Sequence, residues 1–527
     1  MKDRLLNDEL WAVADCETDS FCGENINPFI WGLLDSDGHY QVFWSTPEFT
    51  DYSRASNIKW LYAHNGGKFD WFFPEIISEF EEGKIVLING RLAKAKIGKT
   101  ELRDSFLCLP VALAKFGEKD DFDYSILDKK HSKDRAGKNK NKIEKYLKQD
   151  CVALFNAMER FTTLYGFALT QSGAALKTWE AMGGEKRRYG KKHDNEFRQF
   201  FYGGRTEVFK YAAGVEGRFE LWDIKSSYPD SMRAQHPCGQ NYYCTSDYRN
   251  VSGASFWELK AVSRGALPVK TKTGTSFPNS EVPNTFYCTG WELQAGLDTG
   301  TLDIIKAVGL IPEKFESMSP YVEKFYAEKL AAEKSGDIIG RELAKVFMNS
   351  CYGKFGSNPD EYRDYKIIKA GERSGDWLPH VDCGEYEIVQ RDSAQKQYYD
   401  VAMAASITGH ARAKLWRAIC AADNVFYCDT DSILCEQLNG QKIGKELGNW
   451  DLECVVNKIW IAGKKCYALE KENGDYKIAH KGVSRLDVEI EDIKRAAEGE
   501  IVEIIKSAPS MSVAGVQKFF NRKIKRT

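Results

Sequence analysis

Val425-Phe426-Tyr427-Cys428-Asp429-Thr430-Asp431-Ser432-Ile433-Leu434 carries apolar and aromatic residues into a short polar turn and apolar residues out of it. The pattern reads as a β-hairpin, although the turn has neither Asn-Gly nor Asp-Gly. Asp429 and Asp431 stand two apart at its tip. In a strand-like backbone that spacing sends both carboxylates to one side. Two acids on one face between apolar strands repel each other unless a cation lies between or beside them. Taken alone, the tip reads as a solvated turn, where Asp is common. The rest of the chain overturns that reading.

Composition sets broad bounds. A chain of 527 residues, 43% of them hydrophobic, can bury large cores, and its length suggests roughly two to four domains. The net charge of −2 gives no global preference for nucleic acid, so any basic surface is local. Lys and Arg do cluster in Lys129–Lys148, in Glu185–Lys192 and in the closing KFFNRKIKRT. Such clusters are commonly solvated faces and serve only as supporting signals. The 14 cysteines include no CxxC and no Cys/His spacing that would hold zinc. The start is polar, and no run of about 18 apolar residues could span a membrane. These features predict a cytosolic protein with reduced thiols.

The first third carries acids in a recognisable order. The apolar run Leu10–Ala14 ends in Asp15-Cys16-Glu17, and Phe29–Leu34 pairs with Tyr40–Trp44 across Asp37-Gly38. Asp15 and Glu17 share one strand face. Trp60–Asp70 gives a strand, a Gly-Gly turn and an acid at a helix start, which the helix dipole favours. Lys142–Thr163 is an amphipathic helix, with Ile143, Leu147, Cys151, Leu154, Met158 and Phe161 recurring at three and four. Tyr146 and Asp150 are stacked on it, four apart. Four carboxylates and a tyrosine suit phosphodiester hydrolysis with two cations about 3.5–4 Å apart, the phenol positioning the water.

The second two-thirds repeats the theme. Phe219–Pro229 reads as a strand, Asp223, and a turn closed by Tyr228-Pro229. A helical approach over Tyr321–Leu343 leads to Lys345, Asn349 and Tyr352 at i, i+4 and i+7, which is one helix face. An ammonium, an amide and a phenol on that face can meet a phosphate at one end and a base at the other. Lys465 and Tyr467 are placed on one strand face, and Tyr476–Ala479 is a further strand. Paired glycines at Phe201-Tyr202-Gly203-Gly204-Arg205 permit close backbone approach. Phosphoryl transfer asks little of a protein beyond positioning and two metals.

Taken in order, DIKSSYP, KVFMNSCYGK, YCDTDS and KKCY resemble motifs A, B, C and Lys-x-Tyr of the family B DNA polymerases. Asp15-Cys16-Glu17, Asn65–Asp70 and Tyr146…Asp150 resemble the three motifs of their proofreading 3′→5′ exonuclease. The resemblance covers nearly the whole chain. It implies a multidomain α+β protein with an RNase H-like exonuclease domain over 1–165 and a connecting region over 166–200. Palm and fingers would occupy 201–450, and the end of the palm and the thumb 451–527. Asp223, the Ile224 carbonyl and Asp431 would bind two Mg²⁺ (or Mn²⁺) ions, with Asp429 in support. Tyr228 would lie under the incoming sugar, Lys345 would grip the triphosphate with Arg341 or Lys334 assisting, and Asn349 and Tyr352 would line the nascent base pair. Lys465 and Tyr467 would hold the primer strand. Gly203 and Gly204 match a template-holding motif in which Phe201 replaces the usual tyrosine, so that Tyr202 would substitute. In the exonuclease, Asp15, Glu17, Asp70 and Asp150 would bind two metals and Tyr146 would orient water, with Lys129 or Lys130 as the catalytic lysine. Asn65 and Phe69 would contact the primer's 3′ end, and Ser105 and Phe106 the single strand.

The chain is short for this family, and long intervals separate motifs A, B and C. Both features resemble the protein-primed phage branch, tectivirus-like and Bacillus-phage-like. There, one insertion binds a terminal protein that supplies the priming hydroxyl, and a second encircles DNA for processivity and strand displacement. The corresponding intervals are about 239–318 and 358–396, and His64 stands where that branch contacts terminal protein or primer. The implied partners are template-primer DNA, dNTPs and a terminal protein, with the chain a monomer or a heterodimer with that protein in the cytoplasm of a host cell. Within the enzyme class, the alternative is a polymerase that extends ordinary primers only. From another class, the rival is a catalytically silent DNA-binding scaffold, which would require broken metal sites.

Overall fold

The computed structural model describes residues 9–19, 25–117, 121–185, 188–249, 252–272, 274–481 and 488–526. The chain opens with β1 (Trp11–Thr18), β2 (Pro28–Asp35), β3 (Tyr40–Phe43), α1 (Thr46–Ala55), β4 (Trp60–Ala63), α2 (Pro74–Ile77), β5 (Gly83–Ile88), β6 (Arg91–Ile97) and β7 (Thr100–Asp104). After α3 (Ser132–Arg135) comes the long helix α4 (Lys140–Tyr165), two residues longer at each end than the sequence predicts. β1 pairs antiparallel with β2 and parallel with β4. Its Trp11–Ala14 run is buried throughout, as expected of a central strand covered on both faces. α4 covers one face with Leu147, Cys151 and Leu154, while Phe49 and Trp71 fill the other.

The connecting region holds α5 (Gln171–Ala181) and α6 (Lys191–Phe197), followed by β8 (Thr206–Val208), β9 (Ala212–Ile224) and α7 (Ser227–Met232). Next come β10 (His236–Thr245), β11 (Phe256–Arg264), β12 (Val269–Thr271), β13 (Gly274–Ser276), β14 (Asn279–Thr289), α8 (Gly290–Asp298) and β15 (Leu302–Glu316). Four of these strands form a sheet ordered β10-β15-β11-β14. α9 (Ser319–Ser335) and α10 (Ile338–Phe355) then replace the single helical approach expected over Tyr321–Leu343. The break is local chemistry. Gly336 ends α9 at φ +72°, and the Asp337 carboxylate accepts from the Gly340 N–H at 2.9 Å to start α10. α10 lies against α4 through Phe347, whose ring stacks on Tyr165 with centroids 3.7 Å apart.

The remaining elements are β16 (Arg363–Lys369), β17 (Leu378–Cys383), β18 (Tyr386–Asp392), α11 (Val401–Ala421), β19 (Tyr427–Asp429), β20 (Ser432–Cys435), β21 (Trp450–Gly463), β22 (Cys466–Lys471), β23 (Tyr476–Ala479), α12 (Ile490–Ala497), β24 (Val502–Pro509) and β25 (Gln517–Ile524). Two sheets organise the molecule. One has ten strands, ordered β17-β18-β16-β5-β6-β7-β4-β1-β2-β3, so β16–β18 extend the N-terminal sheet from a segment nearly three hundred residues downstream. The other has seven, ordered β23-β22-β21-β9-β20-β19-β8, with β9 at its middle and the 425–434 hairpin between β9 and the edge strand β8. Among the described residues no helix is long and apolar enough to cross a membrane.

Two candidate active sites

β19 and β20 pair Tyr427 with Leu434, Cys428 with Ile433 and Asp429 with Ser432. Only Thr430 and Asp431 make the turn. Thr430 has φ +60°, and the Asp431 N–H donates to the Asp429 carbonyl at 2.6 Å. That is a γ-turn with a positive central φ, a rare and strained form. Its hold comes from the preceding Gly-Gly stretch: the Thr430 N–H donates to the Arg205 carbonyl at 2.6 Å. A Cβ on Gly204 would lie 2.7 Å from Thr430 Oγ1, so this glycine gives the strained turn room.

The turn corrects the strand-like picture of the two acids. Asp429 ends a strand, whereas Asp431 lies in the turn and leans toward β9. There Asp223 pairs with Ser432, and the Ile224 N–H donates to the Asp431 carbonyl at 2.8 Å. Burial pushes the Asp431 carboxyl up to about 7, with Asp223 and then Asp429 adding repulsion. Burial likewise pushes Asp223 up to about 6, helped by Glu453. Asp451, directly across β21 from Asp223, is held by Lys225 at 2.6 Å and Lys445 at 2.7 Å. Neither Asp451 nor Glu453 stood out in the sequence, because an acid on a long strand looks like ordinary surface. Asp429 accepts from Lys465 Nζ at 2.7 and 2.9 Å and from Thr206 Oγ1 at 2.8 Å.

Lys465 therefore stands differently from its expected place. It sits in the β21–β22 turn at φ +55°, with its N–H donating to the Tyr427 hydroxyl at 2.9 Å, and not on a strand face beside Tyr467. Tyr467 packs edge-on against Tyr427 at 5.2 Å. Tyr228 and Tyr352 stack at 4.6 Å, and both phenols are pushed up by burial, with Asp431 contributing. Lys345 and Asn349 are exposed further along the same face of α10, where the Asn349 amide donates to the Lys345 carbonyl at 2.7 Å. Lys345, Asn349 and Tyr352 open onto a cavity of about 1210 Å³ that also meets the β5–β6 turn, Lys354 and Tyr399. Arg341 is tied to Glu342 at 2.7 Å, and Lys334 is exposed near the end of α9. Tyr202, expected to substitute for Phe201, is only 5% exposed, and Phe201 is half-buried. Arg412, itself in a buried ion pair with Glu292, donates to the carbonyls of Tyr202 and Gly203 at 2.7 and 2.9 Å. Gly203 is exposed.

The N-terminal sheet gathers a second acidic group. Carboxylate oxygens of Asp15 and Glu17 on β1 and of Asp150 on α4 lie within 4.8 Å of one another. Three hard oxygen donors so placed suit a divalent cation. Tyr146, one helical turn before Asp150, shares a 2.8 Å hydrogen bond with the Tyr124 hydroxyl and stacks on Phe122 at 4.1 Å. Burial, then Tyr124, then Asp150 push its phenol up. Tyr124 and Phe122 went unnoticed because they lie in an irregular stretch. Asp70 is not in the trio: it accepts from the Cys16 thiol at 3.3 Å, and Cys16 points to the opposite face of β1 from its neighbours. Asp70 is nearly fully buried, and burial pushes it up to about 7. Lys129 and Lys130 lie on an exposed turn, with Lys130 3.2 Å from Asp128.

Beside this group, the residues expected to meet a single strand are drawn together. His64 Nδ1 is 3.1 Å from Ser105 Oγ, whose hydroxyl also bonds the Ala63 carbonyl at 3.2 Å. Asn65, at φ +65°, accepts from Arg91, which pairs with Asp104 at 2.8 Å and lies over the Phe106 ring at 4.5 Å. Phe69 packs edge-on against Phe73 at 5.3 Å.

Residues 117–443 match the family described as DNA polymerase type B, organellar and viral. The chain is 32% identical to the DNA-directed DNA polymerase of Enterobacteria phage PRD1, covering 98% of both chains. It is 25% identical to the DNA polymerase of Bacillus phage Nf, covering 52% of this chain and 49% of that one. Among solved structures, phi29 DNA polymerase complexed with primer-template DNA superposes with a TM-score of 0.76 at 18% identity, covering 98% of this chain and 100% of the other. At that identity the likeness shows the fold, a multidomain α+β polymerase architecture, and that alone.

Proposed function

The chain belongs to the type B DNA polymerases of the organellar and viral group, and from that premise we propose a protein-primed replicative polymerase with its own 3′→5′ proofreading exonuclease. DNA-directed DNA synthesis is the family's activity, and the finer reading rests on the two acidic sites. The observation that carries it is the pair Asp223 and Asp431. Burial and Glu453 push Asp223, on β9, up to about 6, and burial and Asp223 push Asp431, in the adjoining turn, up to about 7. Two such carboxylates are costly unless cations join them. Mg²⁺ or Mn²⁺, two per site, would supply activation of the attacking hydroxyl and neutralisation of the departing charge.

The chain's own groups do the rest. Asp223 and Asp431 hold the cations, while the Ile224 N–H fixes the Asp431 backbone. Asp429, neutralised by Lys465, supports the primer end, and Tyr467 packs beside it. Tyr228 on Tyr352 forms an aromatic floor whose bulk excludes a 2′-hydroxyl. Lys345 meets the triphosphate, with Arg341 or Lys334 assisting, and Asn349 lines the base pair. In this reading a 3′-hydroxyl, or a terminal-protein hydroxyl, attacks the α-phosphate in line and pyrophosphate leaves. Asp15, Glu17 and Asp150 hold the exonuclease cations, with Asp70 behind them, and Tyr146 orients water. Asn65, Phe69, His64, Ser105 and Phe106 receive the unpaired 3′ end. The segments 239–318 and 358–396 would bind terminal protein and surround DNA respectively. β16–β18, which lie in the second interval, pair through β16 with β5 and so join that segment to the N-terminal sheet.

The test is labelled dNMP transfer, without any nucleic-acid primer, onto a purified candidate terminal protein in Mg²⁺. Labelled partner supports protein priming. Extension of ordinary primers with an unlabelled partner returns the chain to the conventional branch, and loss of both activities would leave only a DNA-binding scaffold.

A further inference from the structure

The loop between β24 and β25, Ser510–Val516, is the farthest reach of the C-terminal hairpin, yet it is built into the N-terminal unit. The Gly515 N–H donates to the Phe72 carbonyl at 3.1 Å, and the Gly515 carbonyl accepts from Ile26 at 2.9 Å. On its other side, the Asp382 N–H donates to the Ser512 carbonyl and the Ala514 N–H to the Asp382 carbonyl, both at 2.9 Å. Ala514 is buried and belongs to the same apolar core as Trp71, Phe72, Phe73 and Val381. Gly515 has φ +68°, and a Cβ there would lie 2.7 Å from Pro74 Cδ. A loop tip that merely touched its neighbour would show side-chain contacts. This one exchanges backbone hydrogen bonds with three other segments, at Ile26, Phe72 and Asp382, and buries an apolar residue among them.

Phe72 ends the 3₁₀ turn Asp70–Phe72, so the loop grips the element that presents Asp70 to Cys16. We propose that Ala514 and Gly515 are positioning residues for the exonuclease: the tip of the C-terminal hairpin holds the Asp70 turn in register against β1. The inference rests on the proofreading reading above. It also predicts that displacing the hairpin tip weakens degradation before it touches synthesis, because the Asp223–Asp431 pair lies in a different sheet.

The test uses the full chain carrying Gly515→Ile, with the milder Gly515→Ala as companion. The added Cβ meets Pro74 in both, and both strain a positive φ. On a single-stranded oligonucleotide, Gly515→Ile should lower exonuclease kcat about tenfold or more at an unchanged KM, and Gly515→Ala by a smaller factor. Incorporation of one dNMP on a short primer should stay within twofold and reports that the chain is folded. Alkylation mapped by mass spectrometry should rise at Cys16, behind Asp70, and stay low at Cys151 on α4. Unchanged kcat with Cys16 still protected in both variants would overturn the proposal. A wild-type chain that degrades nothing defeats the proofreading reading instead, and Cys16 alkylation still decides whether the tip holds the turn.

Discussion

The Lys465 ammonium lies 2.7 and 2.9 Å from the two oxygens of Asp429, while Asp431, two residues on, is pushed up to about 7 by burial and by Asp223. One hairpin tip thus holds one acid already matched by a cation of the chain and one that repels its neighbours. The γ-turn at Thr430 makes the difference, since it swings Asp431 off the strand and toward β9. On the proposed reading, a metal pair would explain why such a turn is tolerated.

It follows that Asp431→Ala or Asp223→Ala should lower primer extension by about 10²- to 10³-fold, the scale on which charge-stabilising groups act. Single-strand degradation and DNA binding should persist, because the exonuclease acids are in another sheet. Gel-resolved dNTP incorporation measures this, and ordinary extension by either variant would refute the metal-ligand roles.

The same burial should be visible in stability without metal. Asp431 is raised from 3.8 to about 7 on folding, so between those values the folded chain binds more protons than the unfolded one. Stability on this account is greatest below about 4 and falls as pH rises through 7. Asp431→Asn removes the cost, so in chelator it should raise Tm by a few degrees at pH 8, a gain on the order of 2 kcal/mol, and leave pH 4 unchanged. Added Mg²⁺ should raise the wild-type Tm more than that of the variant. Equal shifts at both pH values would count against the sign argued here.

The strands and helices that carry chemistry were legible because their signals are local. The alternation around Asp429, the three-and-four spacing of α4 and the acids at Asp15, Glu17, Asp150 and Asp223 depend on no distant residue. What escaped depends on tertiary approach. Nothing near Lys465 says that it turns back to Asp429, and nothing near Asp70 says that Cys16 will donate to it. Nothing near Tyr202 says that Arg412, 210 residues away, donates to its carbonyl. The Tyr321–Leu343 helix was overdrawn because Gly336 inside a helical pattern is ambiguous until its φ is known.

Gly204 offers a local test of the turn. Gly204→Val places a Cβ where Thr430 Oγ1 now stands 2.7 Å away, so the hairpin must shift and extension should fall at least tenfold. Thr430→Gly in the same chain clears that space and also suits the positive φ. The double variant should therefore regain most of the lost activity. If Gly204→Val alone extends normally, the glycine is not there for the turn.

The exonuclease site makes the last prediction, and geometry divides its acids unequally. Asp15, Glu17 and Asp150 are within 4.8 Å of one another, whereas Asp70 is engaged by Cys16 on the far face of β1. Asp15→Ala with Asp70→Ala should remove Mg²⁺-dependent degradation of single strands and spare synthesis. The single variants should differ: Asp15→Ala takes a donor from the trio and should weaken Mn²⁺ binding, read by electron paramagnetic resonance, about tenfold or more. Asp70→Ala leaves the trio intact and should weaken it less. Tyr146→Phe should keep the cation and lose turnover by about 10²-fold, on the scale of a group that positions or moves a proton. Equal loss of cation binding in Asp15→Ala and Asp70→Ala would mean that Asp70 turns away from Cys16 and joins the trio when metal arrives.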